Sequence, residues 1–271
     1  VGGDLKSTEG DIKITNNGIE NIIVENNVAV ETSGDKSFII EHGNKGDILI
    51  KENGNVDVSN NVKIIHNGEG NINIDGKIKA TELIGVEHNY SGSTISNSQN
   101  GSNGDIKLSG IFESTNSILD VEHNGIGNII IDDEMKIITR PHINSLIRHE
   151  NNGNIIVQED GVINSNYNIQ LVNDGYGDID IQGTIISDNG NIYLTKNENS
   201  VGKIDVSGNI KNNGTWVVRD DGYLRVITGV INIHHDGIAD SNGDLINVKD
   251  TGVLETQNLI VIKRANKEQG D

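Results

Sequence analysis

Cysteine is absent from the 271 residues, proline occurs once, and aromatic side chains make up 3%. Without cysteine there are no disulfides and no thiolate metal sites. With so few rings, the core cannot lean on aromatic volume as most globular cores do. Basic residues are also scarce. Lys and Arg number 21 against 40 Asp and Glu, for a net charge of -19. Such a surface repels phosphate backbones, so nucleic acid is excluded as an expected partner. No apolar run approaches the roughly 18 residues of a membrane span, so no membrane insertion is expected. No leader-like segment opens at Val1, which is read as a mature product or a piece of a longer chain.

The sequence is rich in glycine, with 33 residues, and in Ile, Val and Leu. Its dominant feature is an anchor, Gly-[Asp/Asn]-Ile-x-[Ile/Leu/Val]. The anchor starts at residues 10, 46, 70, 104, 127, 153 and 177, and degenerately at 202 as "GKIDV". Two intervals are long. The one between 70 and 104 holds a Ser/Asn/Gly-rich loop insertion, 89–103. The one between 10 and 46 holds "NIIVENNVAVE" and is read as an irregular extra coil, so that 1–45 form irregular first coils.

After each anchor comes a Gly and an apolar pair: "GNV" at 54, "GKI" at 76, "GIF" at 110, "GVI" at 161, "GTI" at 183, "GNI" at 208, "GVI" at 229 and "GVL" at 252. A third stretch leads into the next anchor, as in "SFIIEHG", "VKIIHNG", "SILDVEHNG", "SLIRHENNG" and "TWVVRDDG". Ile72 and Ile74, or Ile179 and Ile181, alternate as on a strand with one buried face. One coil of three short strands cannot bury that face alone; stacked coils can, with parallel pairing between them. The expected fold is therefore all-β: a single parallel β-helix (β-solenoid) over residues 1–271. It has about ten coils of roughly 24 residues, three short strands per coil, and degenerate C-terminal coils over 222–271. Asn and Asp beside the turn glycines are expected to hydrogen-bond local backbone.

Five histidines share one position in the repeat: His42, His66, His88, His123 and His149, with Asn173 and Asp220 as later equivalents. They are expected to form a polar corner ladder with solvent-facing imidazoles rather than a metal site. Neighbours about 4.8 Å apart do not share a zinc ion easily, and no third ligand recurs. The adjacent His234 and His235 would point to opposite faces of a strand. Asp240, Asn242 and Asp244 in "DSNGD" begin like a calcium loop but lack its sixth-position Gly and twelfth-position Glu, so a polar turn is expected there. Asp132-Asp133-Glu134 and Asp220-Asp221 also read as turns. Fragments similar to the polygalacturonase site occur as Asp220-Asp221-Gly222, His42-Gly43 and Lys263-Arg264, in an order that cannot converge on one bond. Trp216, Tyr176, Tyr193 and Tyr223 are the rings that could stack on sugars. No cofactor and no catalytic residue is expected.

"GDIDIQGTIISDNGNIYL" (177–194) and "GDIKLSGIFESTNSILDV" (104–121) resemble the repeats of filamentous-haemagglutinin-like secreted exoproteins. The Ile- and Asn-rich character is similar to leukotoxin-type filamentous adhesins. The resemblance implies a right-handed β-helical shaft, secreted or on the cell surface of a Gram-negative bacterium. Its implied partners are a host-cell or matrix receptor or glycan, or copies of itself end to end. The main alternative is a polysaccharide-active enzyme or carbohydrate-binding module. The next is the subunit of an end-to-end stacked fibre.

Overall fold

The structure, a computed structural model, describes residues 2–89, 104–141, 143–197 and 202–212, and beyond them the strands up to Arg264. The chain winds through three parallel sheets. The first runs from Leu5–Ser7 to Val253–Thr256 with ten strands. The second runs from Ile12–Asn16 to Leu259–Arg264, also with ten, and the third from Ile22–Val24 to Ile246–Val248 with nine. Successive strands visit the three sheets in turn, so each strand pairs with its equivalent one coil away. This is the expected β-solenoid.

Eight unbroken turns lie between Leu5 and Val206. The ninth is interrupted by an antiparallel hairpin, Thr215–Asp220 with Tyr223–Thr228, and among the described residues the tenth has strands in two sheets. The regular coil count is thus below ten. "TWVVRDDG" opens this hairpin rather than a coil, and "GVI" at 229 leads into Val230–His235 of the second sheet, not the first.

The N-terminal coils are regular, not irregular. "GDIKI" at 10 lies in the second sheet, where Ile12–Asn16 pairs with Phe38–His42. The true counterpart of Ile48–Ile50 is Ile22–Val24, preceded by Glu20 and Asn21 instead of Gly and Asp. The long interval between 10 and 46 therefore conceals one repeat whose glycine is replaced.

Period-2 alternation closes the core. In the third sheet Ile48, Ile72, Ile106, Ile129, Ile155, Ile179 and Ile204 stack in one column, all fully buried. Each such side chain contributes roughly 1.5–3 kcal/mol by leaving water. Both phenylalanines, Phe38 and Phe112, are also wholly inside. Ion pairs ride outside and mostly bridge coils, as Lys6–Glu31 and Lys13–Glu41 do at 3.0 Å. Being exposed, such pairs are screened by water and add little to stability. Pro141 sits in a turn between strands of the first and second sheets, where it removes no ladder bond.

Candidate functional site

The polar residues that recur in the sequence meet at the corner between the second and third sheets. Second-sheet strands from Phe38–His42 to Ile192–Lys196 end on an inward-facing residue. Val62, Ile64 and His66 share one face, as do Leu119, Val121 and His123. The histidines therefore enter the core: His42, His66, His88, His123 and His149 are all fully buried. The expected solvent-facing ladder is wrong for this reason of parity. Their rings stack with centroids 4.7–5.0 Å apart and planes within about 21° of parallel.

On four of the five rings both nitrogens are committed, His88 Nδ1 being the exception. Nε2 of His66 lies 2.7 Å from the Gly46 carbonyl oxygen, that of His123 2.9 Å from Gly104, and that of His149 2.6 Å from Gly127, each one coil back. His42 and His88 do the same with Glu20 and Gly70 at 2.8 Å. Nδ1 accepts a backbone N–H two residues on: Asn44 to His42, Gly68 to His66, Gly125 to His123, Asn151 to His149. A carbonyl only accepts and a backbone N–H only donates, so these four rings are neutral Nε2–H tautomers. No ring lone pair is left on them for a metal.

Burial, the largest influence, lowers the pKa of these imidazoles: His66 to about 4, His123 to about 3 and His149 to about 4, with His88 also lowered. Stacked neighbours add to this at His66 and His123. Hydrogen bonds to glycine carbonyls oppose it.

Glycine fills the facing position because nothing larger fits. A Cβ on Gly70 would strike the Gly46 carbonyl oxygen, and one on Gly127 the Gly104 carbonyl oxygen, with the ladder imidazoles close by. The adjoining Asn or Asp supplies a second ladder. Asp47 Oδ1 accepts the N–H of Asn71 at 2.7 Å, Asn71 that of Asp105 at 2.8 Å, and Asp105 that of Asn128 at 2.8 Å. Asn128, Asn154 and Asp178 continue it to Lys203. These side chains thus bond to the next coil, not to local backbone as expected.

Asn173 occupies the histidine position next in the ladder. Its amide donates to the Gly153 carbonyl at 2.9 Å and its oxygen accepts the Gly175 N–H at 3.1 Å. Lys196 follows, fully buried, with Nζ 2.5 Å from the Gly177 carbonyl oxygen; burial lowers its pKa to about 8. The next register positions are His235 and Arg264. Asp220 is not in the ladder; it ends a hairpin strand opposite Tyr223. The sequence signal for Lys196 was parity: "IYLTK" alternates as "IQLVN" does.

Other candidates do not converge. His42 and Lys263-Arg264 lie eight strands apart in the second sheet, about 40 Å at the inter-strand spacing. Asp221, Gly222, Asp240, Asn242, Asp244 and the insertion over 90–103 lie outside the described residues. Tyr176 is exposed, Tyr193 is half-buried on the outer face of the second sheet, and Trp216 and Tyr223 belong to the hairpin strands.

Two acidic features were not foreseen as groups. Glu52, Asp75, Asp132, Asp133 and Glu134 line a groove of about 580 Å³ with Ser109 and Gly110, at the corner between the third and first sheets. On the outer face of the second sheet, Glu87 stands directly beside Glu122, with Asp120, Arg148 and Glu150 around them. Burial and then Glu87 raise the Asp120 pKa against Arg148. Burial, then the charge of Glu150 and a hydrogen bond to it, raise that of Glu122. Among the described residues no three His, Asp or Glu side chains are arranged to hold a metal, and no helix is long and apolar enough to cross a membrane. No known protein family, characterised protein or solved structure matches the chain.

Proposed function

We propose that the chain is a rigid shaft that works by surface contact, as part of a secreted or cell-surface filamentous protein, and not by turnover. The observation that supports this best is where the recurrent polar groups go. Imidazoles, glycine carbonyls and Asx oxygens are consumed in coil-to-coil hydrogen bonds, which stiffen the rod and leave its three outer faces to vary. Long, repetitive faces suit many weak contacts added by avidity. The strongly acidic surface favours basic or cation-bridged partners. Resemblance to filamentous-haemagglutinin-like repeats points the same way, toward host-cell, matrix or glycan attachment.

The test is binding of the purified chain to cultured cells and immobilised matrix, as monomer and as a tandem dimer. The reading predicts retention without product formation, stronger for the dimer by well over tenfold. Equal, weak retention of both forms would overturn it.

A second reading, a polysaccharide-active or sugar-binding face, draws on Asp120 and Glu122, whose raised pKa values suit a general acid. Gln170 and Tyr193 continue the Asp120 column two and three coils on. New reducing ends or unsaturated uronates from a polysaccharide panel, lost in an Asp120→Asn/Glu122→Gln variant, would favour this reading.

A further inference from the structure

We propose that the corner between the second and third sheets is an acid-released seam at the turns 67–71, 124–128 and 150–154: protonation of His66, His123 and His149 frees these turns while the three sheets stay paired. The geometry carries the argument. A protonated imidazole has two N–H groups and no acceptor. In His66, His123 and His149 the new proton on Nδ1 would face the backbone N–H of Gly68, Gly125 or Asn151, donor against donor. The turn must therefore detach where the proton lands. Stacking adds a second constraint. Rings 4.7–5.0 Å apart would hold neighbouring positive charges together in a site closed to water.

The charged groups around the ladder divide. Asp47 favours a proton on His66, Asp105 on His88 and Glu150 on His149, while Lys196 opposes one on His149. The Oδ1 atoms of Asp47 and Asp105 are already held by backbone N–H groups, so neither turns toward a ring without breaking the second ladder. Desolvation prevails, and His66, His123 and His149 stay neutral in the closed corner to about pH 4, 3 and 4. An opened turn exposes the ring to water, where its pKa returns to about 6.5. The folded value lies below the open one. The closed corner is therefore favoured above pH 6.5 and loses stability as pH falls from 6.5 toward 4. Nearest the C-terminal end of this run the chain carries its own control. Asn173 makes both bonds of a ladder histidine and has no proton to take up.

Hydrogen exchange of the full chain, read by mass spectrometry at pH 7.5 and pH 5 and corrected for intrinsic rates, tests this directly. Opening at 67–71, 124–128 and 150–154 should rise about thirtyfold per imidazole at pH 5. The turn at 174–178 and the strands of all three sheets should not change. A His66→Asn/His88→Asn/His123→Asn/His149→Asn variant should lose the pH response at all three turns. If that variant does not fold, His123→Asn alone should silence 124–128 and leave 67–71 responsive. An equal response at 174–178, or a response that survives replacement of the histidine, overturns the seam.

Discussion

Two corners of the same rod are held in different ways. Between the second and third sheets the connections 17–21, 43–47, 67–71, 124–128, 150–154 and 174–178 have five residues each, 197–203 has seven and 89–105, with its insertion, has seventeen. Between the third and first sheets they range from the single Ser109 to the four residues of 51–54 and 158–161. In the first corner, side chains bond from coil to coil, and the ladders resume after the long connection, where Asp105 N–H reaches Asn71 and His123 Nε2 reaches the Gly104 carbonyl. In the second, the four-residue turns close on themselves through Val28 N–H to Glu25, Gly54 N–H to Lys51 and Gly161 N–H to Gln158, while shorter turns bond by backbone to the coil before, as Asp75 N–H does to Ile50. Short turns at 75–76, 109 and 132–133 beside the long 51–54 leave the acidic groove as a notch. Side-chain ladders thus set the bonding at one edge of the rod, and turn length sets it at the other.

The largest break in this contrast should come from Gly127→Val. Its branched side chain has no room beside the Gly104 carbonyl and the His123 ring, and the cost should reach about 3 kcal/mol or more. Urea unfolding followed by circular dichroism would measure it; a cost below 1 kcal/mol would mean that the glycine stack is not tight. Ile129→Asp, which sets an unpaired charge between Ile106 and Ile155, should cost several kcal/mol in the same assay and mark the core's own scale.

Acid should act next. Between pH 7 and pH 5 His66, His123 and His149 should each remove about 2 kcal/mol from the stability of its corner, since only the open form takes the proton. Local amide protection reads this loss. A flat profile from pH 7 to 5 would contradict the lowered pKa values of His66, His123 and His149.

A finer comparison pairs one carboxylate from each corner. Asp105→Ala leaves the Asn128 N–H without its acceptor and should cost about 1–2 kcal/mol. Glu52→Ala, on the variable corner, should stay within about 0.5 kcal/mol. Equal costs would erase the distinction between the two edges.

Much of the fold was legible in the sequence because alternation and repetition are themselves the physics of a solenoid. Gly-[Asp/Asn]-Ile-x-Ile located the third sheet from residue 46 onward, and the column of Ile106, Ile129 and Ile155 followed from it. The first repeat was misplaced because Glu20 breaks the glycine pattern, while "GDIKI" at 10 copies the anchor within another sheet. The hairpin at 215–228 was missed because its strands carry the same β-type residues as the coils; only pairing direction separates them. The ladder was found by position but turned the wrong way. Histidine suggested a wet corner, whereas counting by twos from Ile64 or Val121 places His66 and His123 inside. Hydrogen-bond partners one coil away have no short-range signature, so neither the Nε2–carbonyl bonds nor the Asx ladder could be read before the coils were stacked.

The account turns on those imidazoles being neutral, buried and fixed in one tautomer. Nitrogen-15 NMR of the histidine rings at pH 6 tests that claim most directly. His66, His123 and His149 should each show a protonated Nε2, a bare Nδ1 hydrogen-bonded to the backbone, and no averaging. Rings that exchange between tautomers, or that titrate together near pH 6.5 as free histidine does, would show that the corner is open to water and that the ladder does not hold the rod.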